Sequence, residues 1–388
     1  MALQAAVHVS DVPNLYQVLE AASFPIFTSR FPSGLESTGK NEVSKFLVIG
    51  HRGNGMNMIQ SSDRRMKAIK ENSILSFNAA AEFPVDFVEF DVQVTRDGCP
   101  IVFHDDVILS QEDGIVCERR VTDLNLSEFL GYGPQRGSES DNMGKSLLRK
   151  TKDGRILNWD VESDDSLCIL EEVFRTVNPR LGFNIELKFD DHLVYKQEHL
   201  IHALQCTLKV VFEQAKERPI IFSTFQPDAA ILIKKLQSTY PVYFLTNGGT
   251  EIYYDQRRNS LEEAVKLCQE GGLQGVVSEV RGVFRNPELI AKMKEAKLSL
   301  LTYGKLNNVV EAVYLQHLMG VEGVIVDLVG EITEAVSKMI KLPEKKMGAG
   351  DQEQVEREGE ELEMKGKPQF SQRELAFLLK LIPELIQL

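Results

Sequence analysis

The chain has 388 residues, 43% hydrophobic and 26% charged, with 57 acidic against 44 basic side chains and a formal charge of −13. This is the composition of a globular protein with a sizeable core, and the acidic balance argues against nucleic acid or anionic lipid as a partner, since both need a basic surface. No run approaches the roughly 18 apolar residues needed to span a bilayer, so stable membrane insertion is not expected.

Residues 1–45 are read as an N-terminal extension whose Asp11 and Glu20 suit an organelle transit peptide poorly. The five cysteines, Cys99, Cys117, Cys168, Cys206 and Cys268, include no CxxC pair and read as reduced thiols. An intracellular, cytoplasmic protein is expected, with a plastid as the alternative compartment.

From residue 46 onward, short apolar runs ending near Gly, Asp or Glu alternate with segments of helical period. The runs cover 46–50, 87–94, 181–187, 219–225, 241–245, 273–277, 298–303 and 321–326, with helices predicted at 73–83, 227–236, 260–269, 287–296 and 309–319. Runs apolar on both faces suit strands buried on both sides, and intervening helices favour parallel connections. Eight such units predict an α/β protein, a (β/α)8 TIM barrel over 46–342.

A ninth run, 100–103, follows the turn signal Arg96-Asp97-Gly98 and is expected to fold back antiparallel on the second strand. It opens an insertion at about 105–170, within which 131–165 lacks a clear period, holds the only tryptophan, Trp159, and reads as a functional loop or small lid. Residues 343–370 are expected to be a disordered acidic linker, with seven acids against Arg357 over 351–363. A capping box of Ser371 and Glu374 then opens an amphipathic C-terminal helix, 371–388, expected to dock on the barrel or on a second copy in a homo-oligomer.

The chemistry gathers at the ends of the strands, where barrel active sites are built. His51-Arg52-Gly53 ends the first run. Glu89 and Asp91 lie two apart in the second, and Glu186 and Lys188 two apart in the third, so each pair shares a face. Adjacent buried carboxylates repel and are costly to desolvate unless a cation joins them. Glu89, Asp91 and Glu186 would hold one divalent ion, with Mg²⁺ favoured and Ca²⁺ the alternative, because all their donors are oxygens. In the competing structural reading, an acid pairs with Arg52 or Lys188.

His104 closes the ninth run beside this pocket, with Asp105 available to orient its ring. His51 and His104 make an acid and base pair, and Arg52 and Lys188 add positive charge suited to a phosphate. Glu71-Asn72 precedes the first helix on the same rim, with Asn72 read as a cap or substrate contact. The other histidines, His8, His192, His199, His202 and His317, are placed in helices or at the terminus and read as structural or solvated.

Taken together, His51-Arg52-Gly53, Glu71-Asn72-Ser73, Val88-Glu89-Phe90-Asp91-Val92, His104-Asp105 and Glu186-Leu187-Lys188 resemble the glycerophosphodiester phosphodiesterase family, and Gly53-Asn54-Gly55-Met56-Asn57 is similar to its plant intracellular branch. The resemblance implies a barrel with an insertion and metal-dependent hydrolysis of glycerophosphodiesters, such as glycerophosphocholine or glycerophosphoethanolamine, to sn-glycerol 3-phosphate and an alcohol. It implies His51 and His104 as acid and base, Arg52 and Lys188 on phosphate, and Glu89, Asp91 and Glu186 on the metal. Many relatives carry tryptophan on the seventh strand. Here that position lies in Leu301-Thr302-Tyr303-Gly304, leaving Tyr303 as the candidate for the aromatic contact to glycerol.

Overall fold

The computed structural model describes residues 45–339 except 136–143 and 152. The N-terminal extension, acidic linker and C-terminal helix expected from the sequence lie outside the described residues.

Eight parallel strands close a barrel: β1 (Leu47–Gly50), β2 (Phe87–Val94), β9 (Gly182–Leu187), β10 (Ile220–Thr224), β11 (Val242–Thr246), β12 (Gly275–Glu279), β13 (Ser299–Tyr303) and β14 (Gly323–Val326), with β1 pairing to both β14 and β2. Each occupies one of the expected apolar runs. The five predicted helices form at Ile74–Ala80 (α1), Pro227–Leu236 (α5), Leu261–Gly271 (α6), Glu288–Glu295 (α8) and Val310–Met319 (α9). Sequence periodicity does not single out Leu126–Phe129 (α2), Leu170–Thr176 (α3), Gln197–Gln214 (α4), Val280–Arg285 (α7) or Val329–Met339 (α10).

Alternation along the strands sorts the core into two layers. Val88, Phe90 and Val92 of β2 and Phe183, Ile185 and Leu187 of β9 point outward into one cluster beneath the helices. Phe87, Ile221, Tyr243, Leu245, Val277, Leu301 and Ile325 fill the barrel interior with Leu47 and Ile49. The interior is therefore packed below, with the inward acids Glu89, Asp91 and Glu186 above this layer.

β3 (Pro100–Val102) runs antiparallel to the end of β2, as the turn signal predicted, and pairs on its other side with β8 (Cys168–Ile169); Gly98 takes φ +81° and its N–H bonds to the Thr95 carbonyl at 2.9 Å. The expected inserted segment is present and is more regular than its sequence suggests. β4 (Val107–Glu112), β5 (Ile115–Arg120), β6 (Leu147–Lys150) and β7 (Ile156–Asn158) make a second, antiparallel sheet in the order β5-β4-β6-β7. Residues 131–165 are thus not an aperiodic loop, because β6 and β7 lie within them; strands of three and four residues are too short to display a period. The β4–β5 hairpin did carry a signal: Asp113-Gly114, with φ +50° and +80°, is a two-residue primed turn. Behind this sheet Ile101, Phe103, Ile108, Phe129, Tyr132 and Trp159 form a separate apolar cluster that ties it to β3.

Candidate active site

Parallel pairing of β2 with β9 sets Asp91 directly beside Glu186, and inward alternation puts Glu89 one step below. One oxygen from each of Glu89, Asp91 and Glu186 lies within 4.8 Å of the others, and all three residues are buried. Glu89 Oε1 and Asp91 Oδ1 are shielded from solvent and have no hydrogen-bond partner. Leaving such atoms unmatched is costly, so an all-oxygen set with orphaned lone pairs suits a hard divalent cation. Burial and the adjacent Asp91 charge push the Glu89 carboxyl up to about 8, and burial raises that of Glu186 despite Lys188. These are the directions expected of anions placed together without compensation.

The competing reading is also present in part. Lys188 Nζ stands 3.2 Å from Glu186 Oε1 and 3.8 Å from Asp91 Oδ1, and Arg52 Nε lies 3.4 Å from Asp91 Oδ2. Arg52 is itself buried. Its backbone N–H donates to Glu89 Oε2 at 2.9 Å and its Nη1 to Glu71 Oε1 at 2.7 Å. Two cations and four acids therefore brace one another around the pocket, while Glu89 Oε1 and Asp91 Oδ1 accept no hydrogen bond.

His51 follows β1, and its Nδ1 is 2.7 Å from Asp327 Oδ1, just beyond β14. Its Nε2 sits 4.0 Å from Glu89 Oε2. Burial opposes the charged ring, but the Asp327 charge and hydrogen bond outweigh it and raise the His51 pKa. His104 mirrors this arrangement, with Nδ1 2.7 Å from Asp105 Oδ1. Burial, then Arg52 and Lys188, bring its pKa down to about 4. The side chains are 21% and 30% exposed, so both imidazoles are reachable from solvent. Asp105 takes the orienting role anticipated for it, whereas Asp327 was missed. The available signal was an acid immediately after the last apolar run, at a carboxyl end.

Asn72 donates from Nδ2 to Asp91 Oδ2 at 2.8 Å, so it aims a carboxylate, and the cap of α1 is Ser73, which accepts from the Ser76 N–H at 3.1 Å. Glu71 faces Arg52 and Arg149, which together hold its carboxyl well below the usual range despite burial. Tyr303 stands at the end of β13, its hydroxyl bonded to the Asn247 side chain. Among the remaining histidines, His317 packs edge-on to Phe46, while His192 is not helical: it sits in the loop after β9, where its N–H bonds to Asp190 at 2.8 Å.

Imidazoles and cations around one acidic pocket, at the carboxyl ends of a closed parallel barrel, define a barrel hydrolase for anionic esters. Residues 51–331 match the model of the glycerophosphoryl diester phosphodiesterase family, and the chain belongs to that family. It is 60% identical over 383 residues to the chloroplastic glycerophosphodiester phosphodiesterase GDPD1 of Arabidopsis thaliana, covering 98% of this chain and 99% of the relative. It is 57% identical to GDPD2 of the same plant, with both chains covered completely. Among solved structures, a glycerophosphoryl diester phosphodiesterase from Silicibacter pomeroyi superposes with a TM-score of 0.56 at 20% identity, covering 77% of this chain and 95% of that one. A phosphodiesterase of Oleispira antarctica, solved with the product sn-glycerol-3-phosphate, gives 0.53 at 18% identity over 75% and 96% of the two chains. These two likenesses establish the shared barrel. Among the described residues no helix is long and apolar enough to cross a membrane.

Proposed function

We propose that the chain hydrolyses small glycerophosphodiesters, glycerophosphocholine and glycerophosphoethanolamine among them, to sn-glycerol 3-phosphate and the free alcohol. Glu89, Asp91 and Glu186 would hold one divalent cation, Mg²⁺ rather than Ca²⁺. The observation that carries this reading is the orphaned pair of buried oxygens, Glu89 Oε1 and Asp91 Oδ1, between two carboxylate-anchored imidazoles in a chain of this family.

When bound, the cation supplies Lewis-acid neutralisation of the phosphoryl charge. Arg52 and Lys188 bring two further positive charges to the same point, preorganised by their carboxylate partners. Asp105 and Asp327 each hold the Nδ1 of a ring, which leaves Nε2 for the substrate. His104, kept neutral, accepts the proton of the attacking hydroxyl: water gives sn-glycerol 3-phosphate directly, whereas the glycerol's own hydroxyl gives a cyclic phosphodiester that water then opens to the same product. His51, whose pKa Asp327 raises, donates its proton to the oxygen of the departing alcohol as that P–O bond breaks. The name of the 60% identical relative supports a plastid over the cytoplasm, which a fluorescent fusion of the full chain would test.

The decisive measurement is release of glycerol 3-phosphate from glycerophosphocholine, with liposomal phosphatidylcholine in parallel. We expect activity on the small diester, its loss with chelator, recovery with Mg²⁺ ahead of Ca²⁺, and a fall on the order of 10²-fold or more in Glu89→Ala. Preference for liposomes, or a rate indifferent to chelator, would overturn the reading.

A further inference from the structure

Arg149 belongs to β6 of the insertion, not to the barrel, yet its side chain is only 11% exposed and enters the site. Nη2 donates to Glu71 Oε1 at 2.9 Å and to Asp105 Oδ1 at 3.1 Å, and Nη1 donates to the Asn57 carbonyl at 3.3 Å. Both carboxylates have a second partner in the machinery. Glu71 Oε1 accepts from Arg52 Nη1, and Asp105 Oδ1 meets His104 Nδ1, each at 2.7 Å. The guanidinium lies 4.1 Å over the Trp159 ring, whose Nε1 donates to Asn57 Oδ1 at 3.1 Å. Lys70 Nζ stands 3.8 Å from the same ring.

We infer that Arg149 is a positioning residue that sets the Arg52 guanidinium through Glu71 and the His104 imidazole through Asp105, so that the insertion sheet completes the site. This inference rests on the phosphodiesterase reading above. The physical argument is geometric. A guanidinium is a planar fork able to satisfy several acceptors at once, and stacking on the indole fixes its plane. Without it, two buried carboxylates lose a charge-assisted bond and must draw more closely on their other partners, Arg52 and His104. Displacement of a reacting group by a fraction of an ångström is enough to slow turnover. Lysine cannot substitute fully, because one ammonium lacks the fork that spans Glu71, Asp105 and the Asn57 carbonyl.

The test compares the full-length chain with Arg149→Ala and Arg149→Lys on glycerophosphocholine, with melting temperature as the folding control and guanidinium chloride added at millimolar concentration. We expect kcat of Arg149→Ala to fall about 10- to 100-fold, with a smaller rise in KM, and added guanidinium to restore part of the lost kcat. Arg149→Lys should lie between the two and respond little to guanidinium. A folded Arg149→Ala enzyme within about twofold of the parent in kcat/KM overturns the inference. So does a slow variant that guanidinium leaves unchanged, because that marks loss of packing alone. Should Arg149→Ala fail to fold, full activity in Arg149→Lys overturns it equally. An inactive parent chain would refute the phosphodiesterase reading, and the inference with it.

Discussion

His51 and Asp327 are 276 residues apart in the chain and 2.7 Å apart in space, and their contact favours the charged imidazole against burial. The backbone around them is equally constrained. Arg52 and Asn72 adopt φ of +50° and +54°, a region side chains other than glycine rarely occupy, and the Asn72 N–H bonds to the Arg52 carbonyl at 3.0 Å. Gly55 takes φ +110°, and a Cβ there would lie 2.4 Å from the Asp327 carbonyl, so the turn after His51 needs glycine to bring the His–Asp pair together. Because Asp327 raises the His51 pKa, Asp327→Asn should lower it. A donor that must be protonated is then lost earlier as pH rises, so the alkaline limb of kcat/KM moves to lower pH, and kcat falls by on the order of 10²-fold. A rate-pH profile checks both; an unmoved limb excludes His51 as the titrating donor. His51, Arg52, His104, Glu89, Asp91, Glu186 and Lys188 were legible because each ends or alternates along a short apolar run. Asp327 shows in the sequence only as an acid after the last apolar run, Arg149 carries no local pattern, and both acquire meaning from distant partners.

Packing on the outer faces of β2 and β9 anchors the two strands that carry the acids. Their outward residues, Phe90 and Phe183, are fully buried and meet edge-on with ring centroids 5.1 Å apart, while Phe174 of α3 packs on Phe183 at the same distance. That contact presses the two acid-bearing strands against one helix layer, so the inward Glu89, Asp91 and Glu186 inherit fixed positions. Truncating Phe183 to alanine should destabilise the fold by about 3–5 kcal/mol through lost burial and a residual cavity. Urea unfolding at matched pH measures it, and a cost below about 1 kcal/mol would mean that the ring layer relaxes freely. The insertion was harder to read for a related reason. Its β6 and β7 are short, and the β4–β6 pairing that joins its two hairpins spans a long separation, Leu109 with Leu148, so only the Asp113-Gly114 turn marked it locally.

A cation held by Glu89, Asp91 and Glu186 would couple occupancy of the site to the stability of the whole molecule. A ligand that binds only the folded state stabilises it by about 2.7 kcal/mol at a hundredfold excess over its dissociation constant. Mg²⁺ should therefore raise the melting temperature of the full chain in a saturable way, and Glu89→Gln should abolish most of that rise. An identical rise in the variant would place the ion elsewhere. Length, alternation and turn chemistry were enough to specify eight parallel strands, the antiparallel return of β3 and seven of the polar residues at the rim, because a strand's period of two fixes which neighbours share its face. Closure of the barrel settled the rest. Barrel closure places β14 beside β1, bringing Asp327 to His51, and the insertion sheet carries Arg149 to Glu71 and Asp105; contacts between segments far apart in the chain follow from packing and leave no trace in local periodicity.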